Sequence, residues 1–123
     1  MRLLIDSTVL VDYLRGNSSA FEFIRKLEFK PYISAITVAE LYRGVREELK
    51  LQTLEKVLSG FEIVLIDDLI AEKGGLFCRQ YIRSHGTELA DALIAACANN
   101  VSAKLVTHNR KHFPMLTDVI VPY

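Results

Sequence analysis

Three acids in this chain stand among apolar neighbours. Asp6 ends the run Leu3-Leu4-Ile5, Glu40 lies within Val38-Ala39-Glu40-Leu41-Tyr42, and Asp91 within Leu89-Ala90-Asp91-Ala92-Leu93-Ile94. An ionised carboxylate in such surroundings is costly unless paired, hydrogen-bonded or bound to metal. Three such positions point to a shared cation. Hard dications such as Mg²⁺ take one or two carboxylates plus waters and phosphate oxygens. Carboxylate-held Mg²⁺ or Mn²⁺ is a recurrent means of hydrolysing phosphodiesters, because the metal activates water and offsets transition-state charge.

Each acid taken singly has a structural reading as well. Asp6 suits a helix N-cap, and Glu40 suits the reciprocal half of a Thr37-x-x-Glu40 capping box. Asp91 complements the positive end of a helix. Capping accounts well for exposed acids and poorly for one flanked by Ala and Ile, so Asp91 favours the metal reading.

The elements that must position these acids alternate between short β-rich runs and longer helical ones. That pattern predicts an α/β fold with a mainly parallel central sheet. Strands are expected at Arg2–Asp6, Tyr32–Ile36, Glu62–Ile66 and Lys104–Thr107, with a weaker one at Val119–Val121. Ser7 or Thr8 caps a helix through Leu14, and Ser18 or Ser19 caps one through Leu27. Thr37 opens a third helix, Leu51, Leu54, Val57 and Leu58 mark a fourth, and Asp67 or Asp68 opens a fifth that ends at His85-Gly86. Thr87 caps the Ala-rich helix through Asn100. All three acids thus fall at or near helix starts, which gather along one edge of a parallel sheet, where ligands bind.

The 123 residues suffice for one domain, 1–123, with a sizeable core. Fifteen basic and fifteen acidic residues cancel. That balance excludes a broad nucleic-acid-coating surface but leaves room for local basic patches, to which Arg43, Arg46, Arg79, Arg83, Arg110 and Lys111 are candidates. Cys78 and Cys97 lack zinc-site spacing and read as reduced core residues. No signal-peptide pattern and no membrane-length stretch is present, so a cytoplasmic protein without membrane contact is expected. Phe21, Phe23, Phe29 and Tyr32 read as core, with a dimer or partner surface as the alternative. His85 and His108 read as solvent-facing.

The segments Asp6-Ser7-Thr8-Val9-Leu10-Val11-Asp12-Tyr13-Leu14, Thr37-Val38-Ala39-Glu40-Leu41, Asp91-Ala92-Leu93-Ile94-Ala95-Ala96 and Leu105-Val106-Thr107-His108-Asn109-Arg110-Lys111-His112-Phe113 resemble the successive motifs of PIN-domain ribonucleases, nearest the VapC toxins of toxin–antitoxin pairs. The resemblance implies a three-layer α/β/α sandwich, Mg²⁺- or Mn²⁺-dependent cleavage of RNA, a homodimer and a small antitoxin protein as partner. Matched residue by residue, it makes Asp6, Glu40 and Asp91 the metal-binding acids. Ser7 or Thr8 and Thr107 become the hydroxyls beside them, and Asn109 the polar residue after the fourth strand. Many members carry an acid where this chain has His112. A surface histidine in a short turn is the plain reading there, and a ligand that shifts preference toward Mn²⁺ is the other.

Two rival readings remain. A receiver-like phospho-acceptor domain would use Asp6 with Asp67 as the phosphorylated residue, but it wants a lysine where Thr107 stands. A catalytically silent PIN-like interaction module would leave the intact acid trio without a purpose.

Overall fold

The computed structural model describes residues 1–123. Four short parallel strands form the sheet: β1 (Leu3–Ile5), β2 (Tyr32–Ser34), β3 (Glu62–Val64) and β4 (Lys104–Val106), in the order β3-β2-β1-β4. Leu4 pairs with Tyr32 on one side and with Leu105 on the other. After β1 the chain moves outward to β2 and β3, then returns to place β4 on the far side of β1. Strand order therefore reverses at β1, the position where open α/β sheets form their binding crevice.

Successive strand residues face opposite sides of a sheet, and the two apolar clusters follow that rule. Leu4 and Leu105 pack with Ile94 and Ala95 of α6 (Leu89–Asn100) and Ile70 of α5 (Asp68–His85). Ile5 and Val106 pack on the other face with Val9 and Leu10 of α1 (Ser7–Leu14) and Leu54 and Leu58 of α4 (Glu48–Leu58). Between them in sequence come α2 (Ser18–Arg25) and α3 (Ala35–Gly44). The result is the expected three-layer α/β/α sandwich. Helix α3 touches both sides: Ile36 joins the α5–α6 cluster and Leu41 the other. That straddling carries Glu40 over the sheet edge.

Several element boundaries differ from expectation, each for a local reason. The strands are three residues long, because the chain turns into helix starts soon after them. Strand β2 stops at Ser34, whose Oγ accepts from the Ile36 N–H and so caps α3. The expected Thr37–Glu40 capping box is absent: Thr37 is fully buried inside the helix. Asn17 rather than a serine caps α2, accepting from the Ala20 N–H. Thr87 is buried, and Glu88 holds the N-cap position of α6 without a side-chain cap bond. Helix α5 ends on Gly86 at φ 63°, a left-handed turn that glycine adopts without strain.

Val119–Val121 forms no full strand. Ile120 makes a single parallel bridge to Val106, and Pro122, lacking an N–H, cannot continue the ladder. Phe23 and Tyr32 pack against the core, whereas Phe21 is half exposed against Tyr13 and Phe29 is largely exposed. Both cysteines are free; Cys97 is buried in the core as expected, whereas Cys78 is only partly buried. No helix is long and apolar enough to cross a membrane.

Candidate active site

Asp6 immediately follows β1 and is almost wholly buried. It occupies the N-cap position of α1, in place of the serine or threonine expected there, yet its side chain makes no cap bond. Instead its Oδ2 accepts from Thr107 Oγ1 at 2.6 Å and from Thr8 Oγ1 at 3.2 Å. Thr107, directly after β4, is buried, and its oxygen accepts the backbone N–H of Asn109 at 3.0 Å. A relay of hydrogen bonds thus runs from the Asn109 backbone through Thr107 to Asp6 and fixes the carboxylate at the crevice between β1 and β4.

Glu40 sits in the second turn of α3 with Oε1 buried and without a hydrogen-bond partner. Burial, followed by the charges of Asp6 and Asp91, pushes its carboxyl above the usual range; Arg43 opposes this weakly. Asp91, in the first turn of α6, is raised for the same leading reason, burial, and then by Asp6. Each of these two acids thus feels the charge of Asp6, and Glu40 also feels Asp91. The fold brings together all three acids from segments far apart in sequence.

The other candidates divide. Thr8 and Thr107 join the hydrogen-bond network, while Ser7 enters none of the side-chain bonds at the site. Asn109 contributes its backbone, and its side chain is exposed. His112 is exposed in a short turn, as the plain reading has it, and its Nδ1 also lies 3.2 Å from Asp91 Oδ2. His108 is not solvent-facing. Its ring meets Tyr123 edge-on at 4.3 Å, and Tyr123 donates its hydroxyl to Asp12. His85 is exposed as expected. Arg110 donates to the Val119 carbonyl and so braces the C-terminal segment.

Glu88 went unrecognised in the sequence, although its charge adds to the rise at both Glu40 and Asp91. Its position three residues before Asp91, across a helix start, was the available signal. Asp67, the receiver-like candidate, caps α5 by accepting from the Ile70 N–H at 2.9 Å. It follows β3, two strands from β1, and so does not meet Asp6 at the sheet edge.

No three Asp, Glu, His or Cys side chains close into a ready ligand set. The donor set nevertheless suits a hard dication: carboxylate oxygens, an unpartnered buried Glu40 Oε1, and an Asp6 already oriented by two hydroxyls. Beside Glu40 a cavity of about 330 Å³ opens between α1 and α3, with Arg15, Arg46 and Lys50 on its walls.

A family model described as "PIN domain" matches residues 3–115. Ribonuclease VapC19 of Mycobacterium tuberculosis is 40% identical over 98% of either chain. Ribonuclease VapC10 of the same organism is 33% identical over 98% of this chain and 92% of its own. A toxin–antitoxin complex from Klebsiella pneumoniae contains a chain that superposes with TM-score 0.86 at 29% identity, covering 98% of both chains. FitAcB from Neisseria gonorrhoeae superposes with TM-score 0.78 at 29% identity, over 98% of this chain and 97% of its own.

Proposed function

The chain belongs to the PIN-domain family, and from that premise we propose that it is a metal-dependent endoribonuclease, the toxin half of a toxin–antitoxin pair. The observation that carries the reading is the almost wholly buried Asp6, held by Thr107 and Thr8 at the sheet edge, with the buried, unpartnered Glu40 Oε1 and Asp91 close enough to feel its charge. These three would hold Mg²⁺ or Mn²⁺. Such an ion, when bound, acidifies water and offsets the charge that builds on a phosphodiester under attack.

The protein's own residues do the rest. Thr107 and Thr8 hold one Asp6 oxygen, which leaves the carboxylate little freedom to rotate away. Burial and neighbouring charge raise the proton affinities of Glu40 and Asp91, and a cation beside them would favour their ionised forms. Arg15, Arg46 and Lys50 line the approach beside Glu40 and suit the phosphates of an RNA strand. Leu69 and Leu76, two turns apart on α5, stand exposed with Leu65 just before the helix. They supply apolar surface for a second copy in a homodimer or for a small antitoxin protein. A single PIN-like domain at 1–123 acting on RNA in the cytoplasm completes the reading.

Incubation of the purified protein with a short RNA and Mg²⁺ or Mn²⁺, with and without EDTA, tests it. Cleavage that the chelator abolishes is expected. Intact RNA in the presence of either ion overturns it.

A further inference from the structure

We propose that His112 is a metal ligand, sharing one ion with Asp91 and biasing the site toward a transition-metal dication over Mg²⁺. The inference rests on the reading of Asp6, Glu40 and Asp91 as the acids that hold the ion.

The position of His112 is built by the fold. It closes the short 3₁₀ turn Arg110–His112, and its N–H donates to the Asn109 carbonyl at 2.9 Å. The next residue, Phe113, is almost completely buried in the α5–α6 cluster and its N–H donates to the Arg110 carbonyl. Arg110 in turn reaches the Val119 carbonyl. The turn is therefore pinned on both sides, and it delivers the imidazole to Asp91. The ring itself is half exposed, so it can rotate toward an ion without unpacking the core.

The spacing also fits. Two donor atoms bound to one ion by bonds of about 2.1 Å lie about 3.0 Å apart at a right angle and about 3.4 Å at the tetrahedral angle. The observed separation between His112 Nδ1 and Asp91 Oδ2 is 3.2 Å, between those limits. The contact is an ion pair when the ring carries a proton, and its length also lies within the range of joint coordination, so a dication can take that proton's place without a large movement of either side chain.

Ligand type then sets the preference. Mg²⁺ demands oxygen donors and gives up water reluctantly. Imidazole suits the later dications, whose affinity for nitrogen rises along the first transition row. One nitrogen among carboxylates tilts the choice from Mg²⁺ toward Mn²⁺ and its neighbours.

Pulsed electron paramagnetic resonance of the full chain loaded with one equivalent of Mn²⁺ reads the ligand directly. A ¹⁴N modulation from a bound imidazole is expected in the wild type and is lost in His112→Asp, which keeps a donor but removes the nitrogen. Calorimetric titration of both proteins should show the Mn²⁺-to-Mg²⁺ affinity ratio falling about tenfold in the variant. Tight Mn²⁺ binding with no nitrogen modulation overturns the assignment of His112 and leaves the acids in place. An unchanged ratio overturns the metal bias. Mn²⁺ binding that is absent, or that survives Asp6→Asn and Asp91→Asn undiminished, overturns the acid site itself and this inference with it.

Discussion

Thr107 Oγ1 donates to Asp6 Oδ2 at 2.6 Å, a bond that spans 101 positions of sequence and ties the end of β4 to the end of β1. It is the structural link that turns a strand-end acid into an oriented ligand. Residues that orient metal ligands typically contribute about 10- to 100-fold in metal affinity. Thr107→Val, which keeps the shape and removes the hydroxyl, should weaken Mn²⁺ binding by about that factor, and Thr107→Ser should restore most of it. Calorimetric titration distinguishes the pair. Equal affinity in all three proteins would show that the hydroxyl only fills space.

Glu40 and Asp91 bind protons more tightly in the folded protein than in the unfolded chain. Their contribution to stability is therefore fully present below the usual carboxylate range and is lost as pH rises through the raised folded values. Glu40→Gln removes this dependence at one site. In EDTA the variant should melt close to the wild type near pH 4 and progressively above it toward pH 7. Melting curves at a series of pH values supply the check. A gap that is constant with pH, or a variant that melts lower at neutral pH, contradicts the strained acid cluster.

Helix α5 meets α6 through a glycine. A Cβ on Gly74 would lie 2.6 Å from Leu93 Cδ2 and 3.2 Å from the Leu93 Cα, whereas one on Gly75 would touch nothing within 4 Å. Gly74→Ala should destabilise the protein by about 1–3 kcal/mol through overpacking. Gly75→Ala should stabilise it by roughly 0.5–1 kcal/mol, since alanine suits a helix interior better. Urea denaturation of both variants gives the comparison, and the same sign for the two would refute the close helix contact.

Arg15 and Arg46 line the cavity beside Glu40. Removing one cation that neutralises a phosphate should reduce the slope of log affinity against log salt by about 0.7 for a single-stranded RNA. Arg15→Ala and Arg46→Ala, assayed for binding in EDTA to prevent cleavage, should each show that reduction. Unchanged slopes would move the RNA path elsewhere.

The positions of the acids were legible because charge interrupted apolar runs, and burial is what gives such an interruption meaning. The α/β class with a mainly parallel sheet followed from the alternation of β-rich and helical runs, and the three-layer arrangement from the family resemblance. Helix starts were less legible, because several residues in each could cap. Ser34 reads as a strand residue yet caps α3, which left Thr37 looking like the cap. The partners of His112 and His108 could not be read. Each histidine is fixed by partners distant in sequence, Asp91 in one case and Asp12 with Tyr123 in the other. Periodicity reports which face of an element is buried, not which side chain meets it there.

The most direct test of the central claim is the rate of RNA cleavage by Asp91→Asn in saturating Mn²⁺, beside wild type of matched circular dichroism. The substitution keeps the shape of a half-buried helix residue and removes the charge that a dication needs. Cleavage should fall by at least about 100-fold, since the ion's stabilisation of transition-state charge amounts to several kcal/mol. A folded Asp91→Asn protein that cuts at the wild-type rate would contradict the account.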